Sequence, residues 1–168
     1  DFGYSGKVQF GIVLRDSLIA DISNSEAFES DNDGNGSDFT PKTTAVFSNI
    51  TAIGPRIHPV SGRGNNLFYA GVQIRRNSGI SIQNSIIAGW PRGITIDESK
   101  VTTNGSTYKN LVDSVIRLKN VTLAGNGVDF VDQNKFVLYF PDKDAADRVS
   151  VTLIISETQD TQEVIDDV

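Results

Sequence analysis

Residues 29–38 read Glu-Ser-Asp-Asn-Asp-Gly-Asn-Gly-Ser-Asp, the most metal-like and acid-rich run in the chain. Glu29 and Asp31 lie two positions apart, which on an extended strand puts their backbones roughly 6.5–7 Å apart and their side chains on one face. Inverting glycosidases keep an acid and a base at such a separation, with a water between them, so Glu29 and Asp31 are the candidate catalytic pair. The same segment offers hard oxygens at alternating positions ahead of a glycine turn, as a calcium loop does. Asp31, Asp33 and Asp38 are therefore the candidate metal ligands, and Ca²⁺ the candidate ion. The bidentate acid that closes such a loop is missing, because the twelfth position counted from Glu29 is Thr40. A solvated turn is the alternative, since Asp, Asn and Gly are ordinary turn formers.

Arg75 and Arg76 present two adjacent guanidinium forks, the side chains best shaped to hold a carboxylated or sulfated ligand. With them go Gln73 and Arg15, candidate ligand-binding residues on the same outward face. Trp90 and Tyr69, with Phe39 and Tyr108, lie in or beside loops where aromatic rings either stack on sugars or pack loop bases. The bland reading of the same face is a ladder of charge. Outward positions run Arg15, Asp31, Arg75 and Asp97 in one column, alternating in sign, and Val13, Glu29, Gln73, Thr95 and Asp129 in the next. Such a ladder pairs neighbouring turns and contributes little per exposed pair. His58 is the sole histidine, between Ile57 and Pro59, and a lone loop histidine is more often inert than catalytic. Neither a dinucleotide fingerprint nor a phosphate loop occurs. Asn35, Asn49, Asn104 and Asn120 each open an Asn-X-Ser/Thr sequon, and no glycan is assigned to them.

What must position these groups is a repeated element. SNITAIG at 48–54, QNSIIAG at 83–89 and KNVTLAG at 119–125 each place a Gly five residues after an Asn. Apolar side chains fall four and two residues before the Asn (Ala45 and Phe47, Ile80 and Ile82, Ile116 and Leu118). After it they fall mainly one and three residues on (Ile50 and Ala52, Ile87, Val121 and Leu123). Alternation with period two means strands, and the change of parity at the Asn means the chain bends there without leaving the sheet. Asn tolerates the left-handed conformation such a bend needs. A second element begins with a small residue and alternates: 11–15, 27–31, 71–75, 93–97 and 127–131. Val72 to Ile94 is 22 residues, a length that suits one undecorated turn of a parallel β-helix. This alignment predicts interior columns of Ile12, Phe28, Val72, Ile94 and Val128, and of Leu14, Ser30, Ile74, Ile96 and Phe130. It stacks Asn49, Asn84 and Asn120 as a ladder, with Asp21 one turn earlier. Turns spaced about 4.8 Å apart let stacked amides bond to one another. Loops at 32–43, 55–70 and 98–113 then stand as walls of a groove over the charged face, where function tends to sit. A β-sandwich is the alternative that regularly spaced strands also permit.

Length and composition are compatible with one such domain. The chain has 168 residues, 38% of them hydrophobic, and a formal charge of −6. An acidic balance argues against nucleic acid or an anionic membrane as the main partner. No apolar run reaches transmembrane length, and with no cysteine there is neither a disulfide framework nor a thiolate metal site. The Asp1-Phe2-Gly3-Tyr4 start and the absence of Met read as an incomplete chain, a mature or excised piece.

The coil of Asn-cornered turns resembles the right-handed parallel β-helix of the pectate-lyase-like superfamily. More narrowly, SGKVQFGIVLRDSLIADISNSEAFESDND, TAVFSNITAIGP and IRRNSGISIQNSIIAGWPRGITID resemble exported or surface-anchored β-helix proteins of Bacteroidota, over about residues 4–125. The resemblance implies an extracytoplasmic location, secreted or anchored at the outer membrane, and it implies no particular reaction. The catalytic Asn-Thr-Asp, Asp-Asp and Gly-His-Gly groups of polygalacturonases are absent, and Asp31-Asn32-Asp33 only echoes them. Coils are expected over 1–132. Beyond them, 136–140 and 149–156 read as two strands of a terminal cap, followed by an acidic tail. The expected fold is all-β, a parallel β-helix solenoid. Its expected role is a surface or secreted scaffold for polysaccharide or envelope proteins. The alternatives are a Ca²⁺-dependent lyase or glycoside hydrolase in the groove and a purely structural subunit of an outer-membrane assembly.

Overall fold

Each turn of the chain contributes one strand to each of two sheets. In the computed structural model, which describes residues 1–55, 67–100, 105–126, 128–132 and 149–154, the elements are β1 (Lys7–Leu14), β2 (Phe28–Ser30), β3 (Val46–Ile53), β4 (Val72–Arg75), β5 (Ser81–Ala88), β6 (Arg92–Asp97), α1 (Thr107–Val112), β7 (Leu118–Ala124), β8 (Val128–Asp132) and β9 (Val149–Ile154). The long sheet runs β1-β3-β5-β7-β9 and the short sheet β2-β4-β6-β8. Every pairing between these strands is parallel. Alternate strands joined in parallel register around one core make a parallel β-helix, as the repeats predict.

The period-two pattern becomes the core. Val72 and Ile74 of β4 stack on Ile94 and Ile96 of β6, facing Ile82 and Ile87 of β5 and Leu118 and Leu123 of β7. Each such buried aliphatic contributes about 1.5–3 kcal/mol. The parity change is seen in β5, where Ile82 is buried, Asn84 exposed, and Ser85 and Ile87 buried again. It costs a left-handed residue, and Asn49, Asn84 and Asn120 take φ of 56°, 49° and 53°. Asn120 Nδ2 donates to Asn84 Oδ1 at 3.0 Å, one rung of the expected ladder. The glycines closing the repeats meet two needs: a Cβ on Gly54 would lie 2.4 Å from the carbonyl oxygen of Gly89 in the next turn, and Gly89 and Gly125 take φ of 72° and 59°.

Three features of the sequence alignment are corrected. The 11–15 copy belongs to β1 in the long sheet, where Ile12 opposes Thr51, so neither Ile12 nor Leu14 joins the interior columns. The residue opposite Asn49 is Phe10, with φ of 60°, and not Asp21, because Gln9 pairs with Ser48 and Gly11 with Ile50. The last copy is slipped by two: Phe130, not Val128, opposes Ile94, and Val131 rather than Asp129 lies next to Thr95. A slip of two preserves which face each residue takes, so the hydrophobic pattern cannot detect it.

The 98–113 loop contains α1, a helix of 6 residues that the sequence reading did not expect. Ser106 caps it by accepting from Lys109 N, and the Glu98 carboxylate accepts from Ser106 Oγ and from Tyr108 N. At the same corner a second, buried asparagine stack joins successive turns. Asn32 accepts from Thr43 N and donates to the carbonyls of Ser37 and Phe39. Asn77 Nδ2 donates to Ser37 O, and Asn110 Nδ2 reaches Asn77 Oδ1 at 2.9 Å. All three asparagines are buried, so these bonds take the place of water. β9 pairs with β7 and so extends the long sheet past residue 132. The expected strand at 136–140, like His58, lies outside the described residues.

Candidate functional site

The short sheet brings most of the candidate residues together on its outer face. Register puts Glu29 beside Gln73, Gln73 beside Thr95, and Arg75 beside Asp97. Asp31 follows β2 directly and is met by two arginines. Arg75 Nε donates to Asp31 Oδ1 at 2.6 Å, Arg75 Nη2 also reaches Glu29, and Arg76 Nη1 donates to Asp31 Oδ2 at 2.7 Å. Gln73 Nε2 donates to Asp97 Oδ2 at 3.0 Å, whose other oxygen accepts from Ser99 N. Two sets of bonds therefore cross the face: Glu29 and Asp31 meet Arg75 and Arg76 between two turns, and Gln73 meets Asp97 between the next two.

Burial sharpens these pairings. Asp31 is 6% exposed, while the Glu29 side chain keeps 47% of its surface. Thr95 is fully buried, with no partner for its hydroxyl among the described residues. Burial weakens the hold of the Arg75 guanidinium on its proton. The Asp31 hydrogen bond and charge, then those of Glu29 and Asp97, more than offset this and raise its pKa above the ordinary arginine value. A carboxylate that serves as general base must be able to take a proton. Both Asp31 oxygens are engaged by guanidinium groups, which occupy the positions a general base would use.

The remaining candidates lie elsewhere. Arg15 stands at the end of β1, its guanidinium 5.6 Å above the Phe68 ring and Nη2 on the Ile19 carbonyl, and does not join the column of Asp31, Arg75 and Asp97. Trp90, expected beside the groove, fills the core with 0% exposure. Its indole N–H donates to Ala52 O, its backbone N–H donates to Asn126 Oδ1, and its ring meets Phe68 edge-on. Tyr69 is half-buried with the Arg92 guanidinium 4.2 Å over its ring. The three proposed calcium ligands go to separate partners. Asp31 serves the arginines, Asp33 accepts from Asn35 N, Ser37 N and Ser37 Oγ, and Asp38 pairs with Lys42 at 3.1 Å. The Ser37 hydroxyl, chiefly, lowers the Asp33 pKa, and the Lys42 hydrogen bond and charge lower that of Asp38. Among the described residues no group of three or more His, Cys, Asp or Glu side chains is arranged to hold a metal.

Glu26 is a residue the sequence reading passed over. It is half-buried on the β1–β2 connection, and its pKa is pushed up to about 7, first by burial and then by the Glu29 charge, against the pull of Arg75 and Arg15. Its signal was faint, because the connection has no strand periodicity to show which way residue 26 faces.

A family model described as a pectate-lyase-like β-helix domain matches residues 1–161, and the chain belongs to that family. Neither the curated proteins nor the solved structures gave a significant match. Among the described residues no helix is long and apolar enough to cross a membrane.

Proposed function

We propose that this protein is a non-catalytic β-helix scaffold, secreted or exposed at the cell envelope, that presents its faces to glycan or protein partners. The observation that carries the reading is the double engagement of Arg75: the residue best placed to hold an acidic ligand already holds Asp31 and Glu29. Charges paired in this way join turns and leave the chemistry of binding to the surfaces around them. The extracytoplasmic setting rests on the likeness of residues 4–125 to exported β-helix proteins, and on an acidic, cysteine-free chain that suits export.

The second reading is a polysaccharide lyase or glycoside hydrolase, Ca²⁺-dependent or not, acting in the groove. It is favoured by Glu29, whose carboxylate is nearly half exposed on the outward face. A glycan array and a depolymerisation screen, run with and without Ca²⁺, separate the two. Retention of a glycan without cleavage supports the scaffold. Cleavage that the Glu29→Gln/Asp31→Asn variant loses would replace it with the enzyme, and no binding at all would leave a purely structural subunit.

A further inference from the structure

Lys42, Asp38 and Asn77 form a cluster between two successive turns, apart from the charges on the short sheet. Lys42 and Asp38 lie in the 32–43 loop after β2, and Asn77 follows β4 one turn on. Lys42 Nζ is 3.1 Å from Asp38 Oδ1 and donates to Asn77 Oδ1, also at 3.1 Å. The Asn77 oxygen accepts a second bond, from Asn110 Nδ2 at 2.9 Å, and Asn77 Nδ2 donates to Ser37 O. The Lys42 hydrogen bond and charge are the main hold on the Asp38 carboxylate, and the Asn77 side chain adds a lesser one, so this carboxylate faces both groups. Asn77 is 1% exposed, while Lys42 and Asp38 reach solvent. Residues 2 and 3 pack on the other side of the same corner, where Phe2 N donates to Asn32 O and Gly3 N to Thr43 Oγ1. The cluster thus sits between turns and does not rest on an open strand edge.

We propose that this cluster is the precursor of an isopeptide bond between Lys42 and Asn77, which forms slowly within the folded chain and links the two turns covalently. An amine, a carboxamide and a carboxylate in mutual contact are the three groups that such a bond needs. Asp38 takes a proton from the Lys42 ammonium, and the freed amine attacks Asn77 Cγ. A carbonyl bond is about 1.2 Å long, so an amine already on the oxygen reaches the carbon by a small rotation of its stem. Charge that develops on Asn77 Oδ1 is met by the Asn110 amide, which its bonds to the Asn77 and Ser78 carbonyls hold in place. The Cγ–Nδ2 bond then breaks. Its nitrogen takes up two protons, one from the attacking amine and one from Asp38, and leaves as ammonium. Asp38 is a carboxylate again, and no oxidant or co-reactant is consumed. Burial of the carboxamide keeps away the water that would compete with the amine, and the solvent side of Lys42 and Asp38 gives ammonium a way out. The chain has no cysteine, so no disulfide can tie its turns together. A bond between residues 35 apart would do so, and would restrict the unfolded chain as a disulfide does.

Peptide mapping by mass spectrometry, before and after the folded protein is held at about pH 9.5, where lysine amines give up their proton more readily, tests this. The expected result is a loss of about 17 Da, the mass of ammonia, in a tryptic product that joins the Lys42 and Asn77 segments and is no longer cut after Lys42. The joined product is expected to be absent from Lys42→Arg and from Asn77→Ala. Asp38→Asn is expected to form it at least about tenfold more slowly. Circular dichroism of Lys42→Arg and Asp38→Asn is expected to match the wild type, which separates a lost reaction from a lost fold. Protein unfolded in urea before the incubation is expected to stay unlinked, because only the fold brings the three groups together. No joined product in the wild type, a product that forms as fast in Asp38→Asn or in the unfolded chain, or an ammonia loss confined to a succinimide at Asn35-Gly36 would each overturn the proposal.

Discussion

Asp31 and Glu29 share one arginine, yet they are unequal partners in it. Removing a nearly buried carboxylate strands the charges that faced it, whereas neutralising an exposed one returns its partner to water. Asp31→Ala is therefore expected to cost about 3 kcal/mol in urea unfolding at neutral pH, and Glu29→Gln less than about 1 kcal/mol. Glu26 sets a pH dependence of the opposite sense to a salt-bridged acid. Its folded pKa of about 7 lies above the ordinary 4.5, so the folded chain keeps a proton that the unfolded chain releases. Its contribution is complete below pH 4.5 and is lost as the pH rises through about 7. Glu26→Gln is expected to flatten the stability profile between these values. The gain above pH 7 is about 1 kcal/mol after discounting for solvent screening. Glu29, Arg75 and Arg15 are the charges facing it. The set of Glu29, Asp31, Gln73 and Arg75 was legible in the sequence because period two fixes which residues share a face, whereas Arg76 reaches Asp31 from beyond the end of β4, with φ of 48°. Trp90 was not, since an aromatic beside a corner reads alike whether it turns in or out.

At the scale of the element, two asparagine stacks do different work. The exposed one bends strands: Asn84 needs its φ of 49° more than its amide, so Asn84→Gly is expected to be nearly neutral and Asn84→Val to cost about 1–2 kcal/mol. The buried one satisfies backbone and side-chain groups that no water reaches. Asn77→Ala removes one acceptor from the Asn110 amide, which keeps the Asn77 and Ser78 carbonyls, and one donor from the Ser37 carbonyl, which keeps Asn32, and is expected to cost about 1–2 kcal/mol, read from the same unfolding curves. Only the first stack could be seen in the sequence. Asn49, Asn84 and Asn120 recur inside a conserved spacing of apolar residues, whereas the insertion before Asn110 destroys any common interval with Asn32 and Asn77. The helix α1 escaped for a related reason. Six residues are too few to display a 3.6-residue period, and its cap draws on Glu98, well upstream of the usual capping position.

For the whole molecule, one stacked core and one family assignment account for the architecture, while function depends on which faces stay open. On the outer face of the short sheet Glu29 and Asp31 pair with Arg75, while Phe10, Ile12 and Leu14 of β1 are exposed. A solenoid is stabilised by neighbour-on-neighbour contacts, so bonds that link successive turns raise cooperativity along the axis. That is a sufficient reason for the charges without a substrate. The repeats made the solenoid legible, but the fate of its charges depended on side-chain reach, which spacing does not encode. The most direct measurement compares wild type with Glu29→Gln/Asp31→Asn on a panel of neutral and acidic polysaccharides, with and without Ca²⁺, while following the urea midpoint of each. The expected result is no depolymerisation by either protein and a clear loss of stability in the variant. Cleavage by the wild type, abolished in a variant whose stability is unchanged, would contradict the scaffold and make this face an active site.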